Sequence, residues 1–279
     1  MTVQQVIDAI IKRADIPFKL ERTCDVLICG NPTMEVKGIV TSFMATVDVI
    51  RQAHKLGANM IITHEPTWFC GADDTDWLTD DPVYTEKKRL IEDTGIAIWR
   101  YHDHMHMRKP DEIYEGLDKE LDWGQYARPG VEKTDKPIDF AADFGHYYDI
   151  PETTVRGLAE ELKAKLGLVK TRIVGSPDMA CSRVGILAGG GSLGLGDEKM
   201  PARAMGIHGI HVMVCGDVYE WTLPAYVNDA AQLGHRRALI IAGHERSEEW
   251  GMKHMAGWLR ELAQAPVTFV DAKDPYIYL

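Results

Sequence analysis

The chain has 279 residues, enough to bury the core of one large α/β domain or of two closely packed lobes. Its 45% hydrophobic and 26% charged residues are ordinary for a soluble globular protein, and the net charge of -11 argues against non-specific nucleic-acid binding. No apolar run reaches membrane-spanning length, and five cysteines without a C-x-x-C pair predict reduced thiols in a cytoplasmic protein, not a disulfide framework.

In chain order, Val3, Val6, Ile7, Ile10 and Ile11 share one helical face behind a Thr2 cap, which predicts an amphipathic helix, not a signal peptide. Short strands over 26–29 and 38–42 flank a turn, and a helix over 46–56 stops at Gly57. The apolar run Met60-Ile61-Ile62 reads as a buried strand ending in Thr63-His64-Glu65-Pro66. An acidic loop, 71–81, leads to a helix that starts at Pro82 and ends at Gly95. A strand over 96–101 ends in His102-Asp103-His104-Met105-His106, and a helix after Pro110 buries Ile113, Tyr114, Leu117 and Leu121. Residues 124–137 carry the weakest pattern, which places a lobe boundary there, with lobes 1–124 and 125–279.

The second half predicts a strand at 144–149, a helix at 154–166 and strands at 171–174 and 183–188. A flexible glycine-rich turn over 189–196 then leads to a short helix broken by Pro201. A strand at 210–215, a helix at 222–233, a strand at 237–242, a helix at 247–263 and a strand at 267–270 complete the chain. The alternation predicts α/β architecture, with two similar packed lobes, mixed sheets and a site in the cleft between them. One echo supports similar lobes: Ile61-Ile62-Thr63-His64-Glu65 is matched by Ile240-Ile241-Ala242-Gly243-His244-Glu245.

Three predicted strand ends thus present imidazoles and carboxylates: His64 and Glu65; His102 to His106; and His244 to Glu248. A divalent ion needs three or four such groups at one point, and strand carboxyl ends are where open α/β sheets bind ligands. His102 and His106 share a face whether their segment is a helical turn or a strand. The six candidates His64, Glu65, His102, His106, His244 and Glu248 exceed the needs of one ion, so two are expected. Singly, each cluster also fits a solvated strand edge or a helix-start salt bridge. Gly189-x-Gly191-x-x-Gly194, with Asp217 23 residues beyond, has the outline of a dinucleotide fingerprint, but Pro201 interrupts the helix that motif requires.

These residues give the chain a resemblance to the NIF-three-like family of dinuclear metal-centre proteins, also labelled GTP cyclohydrolase I type 2. The family's His-His-Pro is matched by His64-Glu65-Pro66, and its His-Thr-Asn-Leu-Asp, in spacing, by His102 to His106. Its Thr-Gly-Asp is matched by Cys215-Gly216-Asp217, and its closing Gly-His-x-x-Ser/Thr-Glu by Gly243 to Glu248. Glu65 stands where the family has a second His, and His106 where it has Asp, so the summed set stays four imidazoles and two carboxylates. Trp221 replaces a family His and leaves the substrate class open.

The resemblance implies two divalent ions (zinc, iron, manganese or cobalt) and a hydrolase using a metal-bridging water on a nucleotide or phosphate-containing small molecule. It equally admits a non-catalytic metal-binding regulatory or scaffold protein. Glu248 or Glu65 is the expected bridge, with Glu248, read as a carboxylate at a helix start, preferred, and His104, Asp103 and Glu245 are candidates for supporting or acid–base work. Family members form ring-like hexamers, so a homo-oligomer is implied, with Trp68, Trp77, Trp123 and Trp250 as candidate interface residues.

Overall fold

The computed structural model describes residues 1–128 and 144–279. The expected loop over 124–137 therefore lies largely outside the described residues. Thr2 opens α1 (Val3–Ala14) with a capping box: its hydroxyl accepts from Gln5 N, and the Gln5 side chain accepts from Thr2 N. The strands β1 (Leu27–Cys29) and β2 (Ile39–Ser42) follow, then α2 (Val47–Lys55), whose first turn is capped by Thr46. All four residues of β3 (Met60–Thr63) are buried. Asp81 and Pro82 start α3 (Pro82–Thr94), and Gly95 ends it in the left-handed region. After β4 (Ala97–Arg100) come two helices, α4 (Asp103–Met107) and α5 (Glu112–Leu121).

Next, β5 (His146–Thr154) extends further than the strand expected over 144–149. It is followed by α6 (Val155–Leu166), β6 (Arg172–Val174) and β7 (Ala180–Leu187). The glycine-rich stretch forms a 3-10 turn, Gly189–Leu193, before α7 (Met200–Ile207). Pro201 sits in the first turn of that helix where an interruption was expected, because the missing N–H is unneeded there. Then come β8 (Val212–Cys215), α8 (Leu223–Gln232) and β9 (Ala238–Ile241). The long α9 (His244–Ala263) begins three residues before the expected start at Ser247, and β10 (Val267–Phe269) closes the order.

Two five-stranded mixed sheets result, in the orders β1-β4-β3-β2-β10 and β5-β7-β8-β9-β6. In the first, β10, β2, β3 and β4 run parallel and β1 is an antiparallel edge. In the second, β7, β8 and β9 run parallel between antiparallel β5 and β6. The chain divides into two compact units, Met1–Gly116 with Glu249–Asp274, and Leu117–Glu248 with Pro275–Leu279. This division is not the expected pair of contiguous lobes 1–124 and 125–279, because β10 pairs with β2 and segment Glu249–Asp274 belongs with the first sheet.

In unit 1, Val40, Ile61 and Ile98 from the sheet pack with Val49, Ile50 and Ile91 from α2 and α3. In unit 2, Leu187, Met213 and Leu239 pack with Met205 and Val227 from α7 and α8. Both copies of the echoed segment end buried parallel strands, β3 and β9, so both deliver their His at a carboxyl edge. Among the described residues no helix is long and apolar enough to cross a membrane. Trp68, Trp123 and Trp250 are buried core residues, whereas Trp77 is exposed, so three of the four tryptophans read as interface candidates serve the interior of the chain.

Candidate metal centre

In unit 1, β3 and β4 run side by side in register, Thr63 opposite Arg100, so His64 and His102 leave neighbouring strand ends. The segment after β4 turns helical, because the Asp25 carboxylate gathers the first three N–H groups of the turn. Its Oδ1 accepts from His102 N (2.6 Å) and Asp103 N (2.7 Å), and its Oδ2 accepts from His104 N (2.9 Å). One turn on, His106 shares the face of His102. His64 and His102 rings stack with centroids 4.5 Å apart, and His106 meets both edge-on at 4.9 and 4.8 Å. One ring nitrogen from each of the three lies within 4.8 Å of the other two.

The outer nitrogens of these rings are all committed. His64 Nδ1 faces the Tyr101 carbonyl at 3.3 Å, His102 Nδ1 the Asp103 carboxylate at 2.9 Å, and His106 Nδ1 the Asp111 carboxylate at 2.9 Å. A carbonyl or carboxylate oxygen only accepts, so each Nδ1 carries the proton and each Nε2 presents a lone pair. The His102 hydrogen bond holds the Asp103 carboxyl well below the usual carboxylate range, against the opposing effect of burial. His64 Nε2 and His106 Nε2 stand 3.2 Å apart. Two such lone pairs repel unless a proton or a cation is shared between them. Two ring nitrogens on one ion at about 2.0–2.1 Å are roughly 3–3.5 Å apart, so the donor set fits a metal. Each ring is braced from behind in the way metal-ligating histidines are.

The remaining sequence candidates in unit 1 differ. His104 places Nδ1 2.6 Å from Asp25 Oδ2 and belongs to the support of the turn, outside the three-ring group. Glu65 is held by Arg100, with 3.1 Å between Nη2 and Oε2. Cys24 leans on the same support: its N donates to Asp103 Oδ2 and its thiol to Oδ1. Burial pushes that thiol up to about 12.

In unit 2, β8 delivers Gly216-Asp217 and β9 delivers His244 as the first residue of α9. His244 Nδ1 lies 2.7 Å from Asp217 Oδ2, and its Nε2 lies 2.9 Å from Glu248 Oε2. With Nδ1 donating to Asp217, the Nε2 lone pair and the Glu248 oxygen also need a shared proton or cation. Glu248 sits in the second turn of α9, where a helix-start carboxylate was expected, because α9 begins at His244. The axial field of the helix fades within its first turn, so local contacts orient this carboxylate.

Chief among those contacts is the glycine-rich turn. Gly189 adopts φ +50, and a Cβ there would lie 1.8 Å from Glu248 Oε1. Gly189 N donates to Ser247 Oγ, and Gly189 O accepts from Asp217 N. The turn is thus a fitted seat for the carboxylate. The helix a dinucleotide fingerprint would need directly after it begins only at Met200. Glu245, the other acid of the closing motif, is buried and paired with Arg246 at 3.1 Å. Trp221 is 71% exposed, stacked on Tyr219 and bonded through Nε1 to Glu198.

Several residues that shape these groups were invisible to sequence reasoning. Asp25 acts across 77 to 79 positions and carries no local signal. Asp111 takes His106 with one oxygen and caps α5 at Ile113 N with the other, so the acid after Pro110 hinted only at a helix start. Arg100 read as an ordinary strand residue. Asp217 was visible as a motif member, but its pairing with His244 was not.

The chain is similar to a protein of Clostridium perfringens (strain 13 / Type A) named GTP cyclohydrolase 1 type 2 homolog, with 23% identity over 91% of this chain and 90% of the relative. Its fold is similar to that of Staphylococcus aureus protein SA1388, with a TM-score of 0.73 and 18% identity over 100% of this chain and 99% of the other. A Bacillus cereus protein related to NIF3 superposes with a TM-score of 0.69 and 16% identity, covering 100% of this chain and 99% of the other. The sequence profile of the Duf34/NIF3 (NGG1p interacting factor 3) family matches residues 1–275, and the chain belongs to that family.

Proposed function

We propose that the protein is a metal-dependent hydrolase holding two divalent ions, acting on a nucleotide or another phosphate-containing small molecule. The observation that carries this reading is the convergence of three imidazoles whose outer nitrogens are all locked by oxygen acceptors. His64, His102 and His106 in unit 1 and His244 and Glu248 in unit 2 would hold the ions. Zinc, iron, manganese and cobalt all suit imidazole with carboxylate. When bound, a divalent ion lowers the pKa of water and polarises the bond to be cleaved.

The protein's own groups do the rest. Tyr101 O, Asp103, Asp111 and Asp217 fix ring orientation and tautomer, and Gly189 with Ser247 seats Glu248. The sixth sequence candidate, Glu65, has an oxygen within 4.8 Å of a His64 ring nitrogen and would join them, with Arg100 holding its Oε2. GTP cyclohydrolase is what relatives are named for, and a purine nucleotide is one member of the substrate class proposed. The same reading takes the protein to act as a homo-oligomer, with a hexamer the form that family resemblance suggests.

The test is hydrolysis of a panel of nucleoside triphosphates and phosphate esters by metal-stripped and metal-reloaded protein. Reloading should restore turnover in the wild type and not in His106→Ala. Stoichiometric metal uptake with no turnover of any panel member would reject the hydrolase reading in favour of a metal-stabilised scaffold.

A further inference from the structure

The carboxyl ends of β7, β8 and β9 lead to Gly189, Asp217 and His244, and their amino ends carry a different chemistry. Val184 pairs with Val212, and Val212 with Ala238, so the preceding residues Arg183, His211 and Arg237 stand in one row across the three strands. Asp149 of β5, opposite Arg183, continues that row. The backbone ties it together: His211 N donates to Arg183 O at 2.9 Å, and Ala238 N to His211 O at 2.8 Å. Arg236 Nη2 donates to Ala180 O at 2.8 Å, at the start of β7. In a chain of net charge -11, the arginines 128, 183, 236 and 237 thus gather on one edge of unit 2, with Asp149 and Glu152 as neighbouring carboxylates.

Two of these arginines are committed to the fold. Arg128 grips both oxygens of Asp149, at 2.6 and 2.9 Å, and donates to His208 O. Arg237 donates to Met205 O in the last turn of α7 and to Ile210 O just after it. Arg183, by contrast, is exposed and makes no side-chain hydrogen bond or ion pair among the described residues. A Cβ on Gly209 would stand 3.0 Å from Arg183 Nη1, so the guanidinium lies against the turn that follows α7. His211 Nδ1 accepts from Ser182 N and Arg183 N, at 3.2 and 3.3 Å, so the ring is neutral and carries its proton on Nε2. Burial, and then the surrounding guanidinium groups, lower the His211 pKa and favour that neutral ring. Guanidinium forks match the oxygens of a phosphate, and a neutral imidazole adds a donor without adding like-charge repulsion.

We propose that this amino-terminal edge of the second sheet binds the phosphate group of a small molecule, held by the guanidinium groups of Arg183 and Arg236 and by His211 Nε2–H. The four residues of β8 separate His211 from Gly216 by roughly 16 Å, so a phosphate here is not the group that meets His244 and Glu248. The site is independent of the metal reading. The negative net charge of the chain makes a small molecule, not a nucleic acid, the source of the phosphate.

Calorimetric titration with inorganic phosphate and with adenosine monophosphate, on wild type, Arg183→Gln, Arg183→Lys, His106→Ala and His244→Ala, tests it. Wild type should bind at least one of the two probes with a Kd below about 1 mM. Arg183→Gln should weaken that binding about tenfold, and Arg183→Lys, which keeps the charge without the fork, should fall between. The two histidine variants should bind as wild type does. Tighter binding of adenosine monophosphate would make the ligand a phosphate ester, and tighter binding of inorganic phosphate would make it the free ion; either supports the site. Thermal unfolding of Arg183→Gln should match wild type, since no side-chain bond is lost, and Arg236→Gln gives a second reading if it does not. No saturable binding of either probe by wild type up to about 10 mM, or unchanged affinity in the arginine variants, would overturn the proposal. Loss of binding in the histidine variants in place of Arg183→Gln would move the anion to the ligand groups and overturn it too.

Discussion

Asp111 and Gly189 show how single residues set the two ligand groups. Asp111 locks the His106 tautomer, so Asp111→Asn, which can turn its amide NH2 toward Nδ1, should weaken metal binding about 10- to 100-fold in a titration. Gly189→Ala would place a methyl on the Glu248 carboxylate from a positive-φ position. It should lower stability by about 1–3 kcal/mol in urea unfolding and displace Glu248 from His244. Lys87 tests the electrostatics of unit 1. It is buried, donates to Thr67 O, and burial pushes its pKa down to about 8 from 10.5. Between those two values the unfolded chain keeps a proton that the folded chain has released, so stability should rise with pH across that window. The partly buried thiols of Cys24 and Cys29, raised by desolvation to about 12 and about 11, act in the opposite sense above pH 9. The rise is therefore best measured as wild type minus Lys87→Met below pH 9, where the thiols stay largely protonated in both states.

Elements were legible where a local pattern alone decides them. The capping box at Thr2 and the Asp81-Pro82 start fixed their helices, and the all-apolar runs of β3, β8 and β9 fixed buried parallel strands. The 102–106 segment was not decidable, because alternate and i, i+4 spacing place His102 and His106 together equally well. Asp25, remote in sequence, decides it by collecting three N–H groups at the start of α4. Asp25→Ala should cost about 1–2 kcal/mol in thermal or urea unfolding and lower metal affinity, since both His102 and His106 ride on that turn. The start of α9 was misplaced for a related reason. Gly243 and His244 are poor helix-start signals beside Ser247, yet the His244–Glu248 pair and the Gly189 contacts draw the first turn forward. The candidate ligands could be read from residue type at strand ends. Their supporting acids and Arg100 could not, because those contacts are made by the tertiary fold.

At the scale of the molecule, two mixed sheets each offer parallel strand ends, and the chain returns through β10 to the sheet in which it began. Family membership and the shared fold rest on the whole length of the chain, whereas the proposed hydrolysis and metal number rest on the chemistry of the two ligand groups, and the proposed assembly on family resemblance. Both groups are proposed to hold metal. The most direct measurement is elemental analysis and equilibrium titration of stripped, reloaded protein with zinc or cobalt, beside His106→Ala and His244→Ala. The expected result is about two equivalents per chain in the wild type and about one in each variant. Wild-type protein that stays folded and retains no divalent metal after reloading would contradict it.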